Sequence, residues 1–238
     1  MKALKLSLIV AAAALAATSA QALTFNTTGW IANTTLTFDP DAYGSAVAAG
    51  VVLSPAGNAT KVGEVQAVGS NGATSTVPVF NFPVTESSAK IGWDLKIIAT
   101  AGVASGSGVK LLRFEDENLS AGLANFNVDF EKDIMFADIY TPQGTLAKVG
   151  LYTFTDDNNT VTKITGFQII SKGTVSALKF TPAAVEAIST ALELSDVLKA
   201  TLTTSKWGNL KIDVSSKSRK PKTNGAALTR EAMGIPQF

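Results

Sequence analysis

One short spacing in the chain matches a motif that catalysts use. Ser87-Ser88-Ala89-Lys90 fits S-x-x-K, which in serine–lysine enzymes opens a helix and so brings the lysine back beside the serine. Here the motif leads into an alternating apolar stretch that begins near Gly92, and no Ser-Asp-Asn follows. Lys172-Gly173-Thr174 has the wrong order for the companion Lys-Thr-Gly motif. We therefore interpret the match as chance.

Two residue types are absent from the 238 residues, His and Cys. Without His there is no Ser-His-Asp or Cys-His catalysis and no imidazole metal site. Without Cys there is no disulfide framework, no thiolate nucleophile and no sulfur-based zinc or iron–sulfur site. These absences exclude the commonest catalytic sets, and we predict that the protein is not an enzyme.

Carboxylates remain as candidates for chemistry. Paired carboxylates about 5–10 Å apart hydrolyse glycosides. Asp129 and Glu131 share one face of an alternating stretch, which a solvated strand explains equally well. Asp94 and Asp138 stand among apolar residues, where a carboxylate needs a partner; for Asp94 this is Lys96. A carboxylate-dependent hydrolase stays open as an alternative, with no catalytic residue assigned.

Asp156 and Asp157 are the best candidates for a metal site. With Asn158 and Asn159 they offer the hard oxygen ligands that Ca²⁺ takes. The same composition is ordinary for a hairpin loop, which is the interpretation we favour. Apart from this calcium alternative, no cofactor is expected.

The elements that position these residues are mainly strands. Period-two alternation, rich in Thr, Val, Ile and Phe, recurs between Gly and Asn-Asp turns. We predict an antiparallel β-sandwich. The predicted strands lie in the stretches 23–38, 51–53, 61–68, 76–84, 92–100, 125–140, 149–155, 161–171, 199–204 and 209–214.

One or two short helices are predicted to cap the sandwich. Thr181 is a good N-cap before Pro182, which predicts a helix over about 181–194. Asp39-Pro40 predicts a second helix over 39–49. Because Leu36–Ala42 and Leu178–Ala184 share a strand, a cap, a proline and alanines, an internal repeat and an independent origin both stay open.

The order of features from Gly108 to Ile212 resembles an HtaA-like domain. Strands lead to a strand-to-helix passage, here Leu178-Lys179-Phe180-Thr181-Pro182, and then to a final β segment. Gly92-Trp93 stands where that family has its opening motif. The resemblance covers less than half of the chain and implies an exported domain that captures haem at the cell surface. No ligand residue is carried over.

Residues 1–22 have the pattern of a signal peptide. Lys2 and Lys5 precede an apolar run from Leu6 to Ala17, and Ala20-Gln21-Ala22 supplies a cleavage site. We therefore expect a secreted, extracellular or cell-surface protein, with the periplasm as an alternative. No later stretch reaches transmembrane length, and the near-zero net charge gives no global attraction to nucleic acid.

The mature chain divides by charge. Residues 217–238 hold five basic residues and one acidic residue, so this tail carries +4 on a body of −5. We predict one β-rich domain over 23–216, with a subdivision near 101–108 left open, and a basic, flexible tail over 217–238. The tail residue Lys220 is a candidate contact to other copies of the chain or to the cell envelope.

The main functional hypothesis is a surface structural protein that self-assembles into a filament or matrix by strand addition. Its candidate donor is the stretch 23–38, with Leu23, Phe25 and Trp30 as contact residues. Trp207, between Lys206 and Gly208, is predicted to be the most exposed tryptophan. The alternatives are an exported module that binds a polysaccharide or haem, and the hydrolase.

Overall fold

The structure is a computed structural model that describes residues 22–92, 97–156, 161–165 and 168–237. These residues form thirteen strands and three helices. The strands are β1 Leu23–Asn26, β2 Trp30–Phe38, β3 Val51–Gly57, β4 Thr60–Val68, β5 Thr74–Pro83, β6 Glu86–Ile91, β7 Ile97–Arg113, β8 Asp116–Asp129, β9 Ile134–Thr141, β10 Gly144–Asp156, β11 Val161–Thr165, β12 Gln168–Phe180 and β13 Gly208–Ser218. The helices are α1 Pro40–Ala48, α2 Pro182–Ala191 and α3 Asp196–Thr204.

All strand pairs are antiparallel and belong to one sheet. Its order is β1-β6-β7-β8-β9-β10-β12-β13-β2-β5-β4, with β3 paired to β7 and β11 paired to β12. The sheet returns on itself because the β2–β5 pair continues into the β1–β6 pair. Between the two pairs, the Val84 N–H donates to the Ala32 carbonyl oxygen and the Thr27 N–H donates to the Thr85 carbonyl oxygen, both at 2.9 Å.

The core lies between the two halves of this folded sheet. Alternate residues of each strand face inward, so that Phe82 of β5 meets Phe126 of β8 edge to face at 5.2 Å between ring centroids. Leu36, Leu123 and Leu178, from three distant strands, are buried in the same cluster. The predicted mainly β, antiparallel sandwich with short capping helices is confirmed.

The three helices pack together over one end of the sandwich. Both predicted helices are present: α1 begins at Pro40 behind the cap Asp39, and α2 begins at Pro182 behind the cap Thr181. The helix α2 contacts β9 and β10, and α1 contacts β3 and β5. Both α1 and α2 follow a strand that ends in Phe, so the chain leaves the sheet twice by the same local route.

Three strand predictions are wrong. The stretch 199–204 belongs to α3, because Ser195 caps a helix that buries Leu202 against its neighbours. The stretch 23–38 is two strands, separated by the turn around Thr28. The stretch 161–171 is likewise two strands, β11 and β12, which pair with each other. Residues 157–159 of the expected hairpin loop lie outside the described residues; in the described part, β10 and β11 each pair with β12, with Asp156 opposite Val175 and Val161 opposite Lys172.

The segment after residue 216 packs on the body rather than projecting from it. Leu228, Met233 and Ile235 are buried in a small cluster with Tyr140. Glycines of β7 and β8 provide the space for these side chains, since a Cβ at Gly122 would lie 2.9 Å from the Met233 sulfur. The prediction of a flexible tail is therefore corrected, because three apolar side chains of the tail are buried against the body. The stretch 101–108, where a subdivision of the domain was left open, lies within β7.

Candidate ligand-binding cavity

An apolar cavity of about 80 Å³ lies between the two halves of the sheet. It is lined by inward-facing side chains of opposite walls, such as Leu36 and Phe82 on one side and Leu123 and Phe126 on the other. No charged side chain of the described residues lines it.

The helices close one end of the cavity. Leu111 and Trp207 line both this cavity and a smaller one of about 30 Å³ that α2 and α3 cover. Trp207 is 3% exposed, packs edge to face on Phe180 at 5.0 Å, and donates from its indole nitrogen to the Leu202 carbonyl oxygen at 3.4 Å. The prediction that Trp207 is the exposed tryptophan is wrong.

The opposite end of the cavity is open. The lining residues there are partly exposed and small: Ser87 of β6, Ala99 and Gly102 of β7, and Ser171 of β12. A Cβ on Gly102 would meet nothing closer than a Phe130 ring carbon at 4.0 Å. These small side chains form the mouth, which we define by these four residues.

The Tyr152 hydroxyl is a buried polar group in the cavity wall. Tyr152 lines the cavity and stacks on Phe180 at 4.4 Å between ring centroids. Burial raises the pKa of the Tyr152 phenol, and no hydrogen bond from a described residue contributes to that shift. The phenol therefore stays neutral, and its hydroxyl group is a potential hydrogen-bond partner for an occupant.

The structure brings three predicted interaction residues together. Leu23 pairs with Ala89, and Phe25 with Ser87, so both share the cavity-facing side of β6. The Phe25 and Trp30 rings lie 6.0 Å apart. The donor prediction for 23–38 is corrected in part, because β2 is paired on both edges, with β13 and β5.

Lys220 is exposed on the packed C-terminal segment, away from the cavity lining. Its neighbour Arg219 holds that segment to β2 by donating to the Ala32 carbonyl oxygen (2.9 Å) and to Asn33 Oδ1 (2.6 Å). Burial lowers the pKa of the Arg219 guanidinium. The basic residues here thus include a structural anchor as well as surface charge.

The carboxylate candidates that the structure describes form hydrogen bonds or ion pairs within the fold. Asp138 accepts from the Asn125 side chain and from the Lys148 N–H, both at 2.9 Å. Asp129 binds Lys132 at 2.7 Å, and this hydrogen bond lowers its pKa. Asp94 and the calcium candidate Asp157 lie outside the described residues. Asp156 ends β10, and no group of three or more metal-ligating residues occurs in the part of the chain that the structure describes.

Asn125 is the polar residue that sequence reasoning missed. It adopts φ 56° and sits under the C-terminal segment, where its Oδ1 accepts from the Leu228 N–H at 2.8 Å. Its Nδ2 donates to the Leu228 carbonyl oxygen at 3.0 Å, and Tyr140 donates to the same oxygen at 2.6 Å. Nothing in the local pattern distinguishes this asparagine, because its partner lies 103 residues away.

No model of a protein family matches this chain, and no curated protein matches it. A similar solved structure is the C-terminal domain of HtaA from Corynebacterium glutamicum, with 7% sequence identity, a TM-score of 0.40, and coverage of 79% of this chain and 98% of that one. That likeness is too distant to carry a functional argument. No helix in the described residues is long and apolar enough to cross a membrane.

Proposed function

We propose that this chain is an exported binding module that takes an apolar small molecule into the cavity between its sheet halves. The observation that carries the proposal is the open apolar cavity. At about 80 Å³ it exceeds the ~10–15 Å³ that one water needs, yet its lining offers such water almost no hydrogen bonds. An apolar group is therefore the better occupant, and the signal-peptide pattern supports export.

The cavity also distinguishes among apolar ligands. Its volume is about half that of an engineered cavity that admits benzene, ~150 Å³. A narrow ligand therefore fits without rearrangement, whereas a flat haem requires the two sheet halves to separate. A polysaccharide does not suit a lining without charged or amide groups.

Titration of the purified protein with xenon, an uncharged apolar atom small enough for the cavity, tests this function, with ¹²⁹Xe NMR as the measurement. We expect a saturable, one-site change in the xenon chemical shift. The change Gly102→Leu adds a side chain at the mouth, toward Phe130, and should weaken binding about tenfold or more by filling the cavity.

Ile98→Leu is the matched control, because Ile98 lies on the same strand and is 44% exposed, outside the lining. It should leave binding unchanged, and thermal unfolding should confirm that both variants fold. A non-saturable change in the xenon chemical shift, or equal binding by Gly102→Leu and the parent protein, would refute the proposal. A Soret shift on parallel haem titration would instead favour haem as the ligand.

Self-assembly by strand addition is a second candidate function, favoured by the edge strand β4. In the described structure β4 pairs only with β5, and its Val62, Val65 and Val68 are 57%, 41% and 67% exposed. Exposed apolar edges template pairing with another chain. This makes β4 a better candidate for assembly than β1, which is four residues long.

Light scattering over a concentration series tests the second candidate. Assembly through β4 predicts a mass that rises with concentration and falls to that of a monomer in Val65→Lys, because a lysine on the edge opposes pairing. Thr153→Lys on the interior strand β10, also at an exposed position, serves as the control. A constant monomer mass for the parent protein would exclude this candidate.

A further inference from the structure

The apolar lining of the cavity continues beyond its mouth along the β6–β7 hairpin. Ala99 lines the cavity and pairs with Ala89. Ile91 pairs with Ile97 two residues further along, and because side chains alternate, this pair lies on the same face as Ala99. Ile91 is 42% exposed. The cavity-facing side of the hairpin thus stays apolar for about 7 Å past the mouth.

Strand β1 widens this apolar surface. Leu23 stands opposite Ala89 and Phe25 stands opposite Ser87, so both side chains share the face that leads into the cavity. Both are partly exposed. The residues Leu23, Phe25, Ile91 and Ile97 form what we name the entrance surface.

The opposite wall comes from the β11–β12 hairpin. Ser171 lines the mouth and bonds Thr162 across the hairpin, with 2.9 Å between their hydroxyl oxygens. Ile169 lies two residues beyond Ser171 on the same face. Since β11 contacts β7, this hairpin approaches the entrance surface. The apolar path is therefore bounded on both sides.

We infer that the cavity and the entrance surface together bind a single unbranched acyl chain, with its polar end held near the entrance. The inference rests on the proposed function and names its ligand class. A narrow and mainly apolar path, along which none of the described residues places a charged side chain, matches a polymethylene chain. A peptide in this path would leave its backbone N–H and carbonyl groups without partners, and a fused-ring ligand would not pass the narrow interior.

The length of the ligand gives the sharpest test. Calorimetric titration of the delipidated protein with saturated fatty acids of 4 to 16 carbons should show affinity rising about fourfold per methylene until the path is filled. Butanoic acid should occupy only the interior cavity, and hexadecanoic acid should also cover the entrance surface. A flat affinity from butanoic acid upward would overturn the inference.

Variants of the entrance surface separate its role from that of the cavity. Ile91→Ser and Ile97→Ser should each weaken binding of hexadecanoic acid about tenfold and change binding of butanoic acid less than twofold, because only the longer chain reaches these residues. Ile98→Ser, on the opposite face of the same hairpin, should change neither. Equal losses for both acids would overturn the inference, since they would indicate a general structural effect.

Two failures are distinguishable by this design. If xenon binds and no fatty acid does, the acyl-chain inference fails and the binding function stands. If neither binds, both fail. The source of the chain is decided by incubation with dioleoylphosphatidylcholine vesicles: phospholipid recovered with the reisolated protein supports a membrane source, and uptake of free acid alone supports a soluble source.

Discussion

The chain leaves its sheet for a helix twice, and the two passages differ in depth. The first runs from Phe38 through the cap Asp39 into α1, and the second from Phe180 through the cap Thr181 into α2. Of α1 only Ala42 is buried, whereas α2 buries five residues, namely Ala184, Val185, Ile188, Ser189 and Ala191. The same local sequence pattern thus starts a peripheral helix in one place and a core helix in the other.

The cap side chain of α2 is likewise connected to the sheet, whereas the cap side chain of α1 bonds N–H groups of its own helix. Asp39 Oδ1 accepts from the N–H groups of Asp41 and Ala42, both within its own helix. Thr181 Oγ1 accepts from the Ala184 N–H at 3.2 Å and also donates to the Gly150 carbonyl oxygen of β10. The comparison shows that a cap motif decides where a helix begins, and that the strand beside it decides how much stability the helix contributes.

The largest expected effect is in the buried face of α2. Ile188→Ala removes a side chain with 0% exposure and should lower the free energy of unfolding by about 3–4 kcal/mol. Val47→Ala in α1, at a position 52% exposed, should change it by less than about 0.5 kcal/mol. Urea denaturation of both variants measures the difference. Similar losses would show that α1 is as deeply integrated as α2.

A smaller contrast is expected at the caps. Thr181→Ala should cost about 2 kcal/mol, because it also leaves the Gly150 carbonyl oxygen without its side-chain donor. Asp39→Ala should cost about 1 kcal/mol, the usual effect of losing a helix cap. Thr181→Ser, which keeps the hydroxyl, should recover most of the loss. Equal costs for the two alanine variants would mean that the bond to β10 contributes nothing.

The smallest expected effect is on the pH dependence of the unfolding free energy, and it concerns the first passage alone. Asp41 Oδ2 accepts from the Ser70 N–H at 2.8 Å, and this bond lowers the pKa of Asp41 below its ordinary 3.8. A lowered folded-state pKa gives stability that is present above pH 3.8 and lost as pH falls through the folded value. Asp41→Asn should therefore flatten the decline of unfolding free energy between about pH 4 and pH 2. An unchanged slope would contradict this role.

The parts of the fold that depend on near neighbours could be predicted from the sequence. Alternation identified most strands, and a cap followed by proline identified α1 and α2. The helix α3 was missed because Val197, Thr201 and Thr203 favour strands locally, whereas packing of Leu202 beneath it favours the helix.

The wrong prediction that Trp207 is exposed has a specific cause. Gly208 suggested an exposed turn, but its φ is 137°, and a Cβ there would lie 2.2 Å from the Thr37 carbonyl oxygen. The glycine therefore permits a close approach to β2, which carries Trp207 into the core. A single sequence does not distinguish these two uses of glycine.

The cavity could not be predicted, because it depends on which residues face each other. Nothing in the sequence distinguishes Ala99, Gly102 and Ser171 from other small residues. They line a cavity only because strand pairing places β6, β7 and β12 around it. Sequence reasoning did select Leu23 and Phe25, as contact residues for another copy, and the structure places them beside the mouth. Alternation identified their apolar face correctly, although not what that face lies against.

The pairing of β2 with β13 has a consequence for the kinetics of folding. Arg219 bonds the Ala32 carbonyl oxygen 187 residues earlier in the chain, and β2 pairs with β13 over most of its length. The space between the walls cannot close until both distant segments have met, and contacts of such sequence separation form slowly. Between synthesis and closure, β2 and β5 therefore expose their apolar faces, and that interval is when the chain most needs a chaperone.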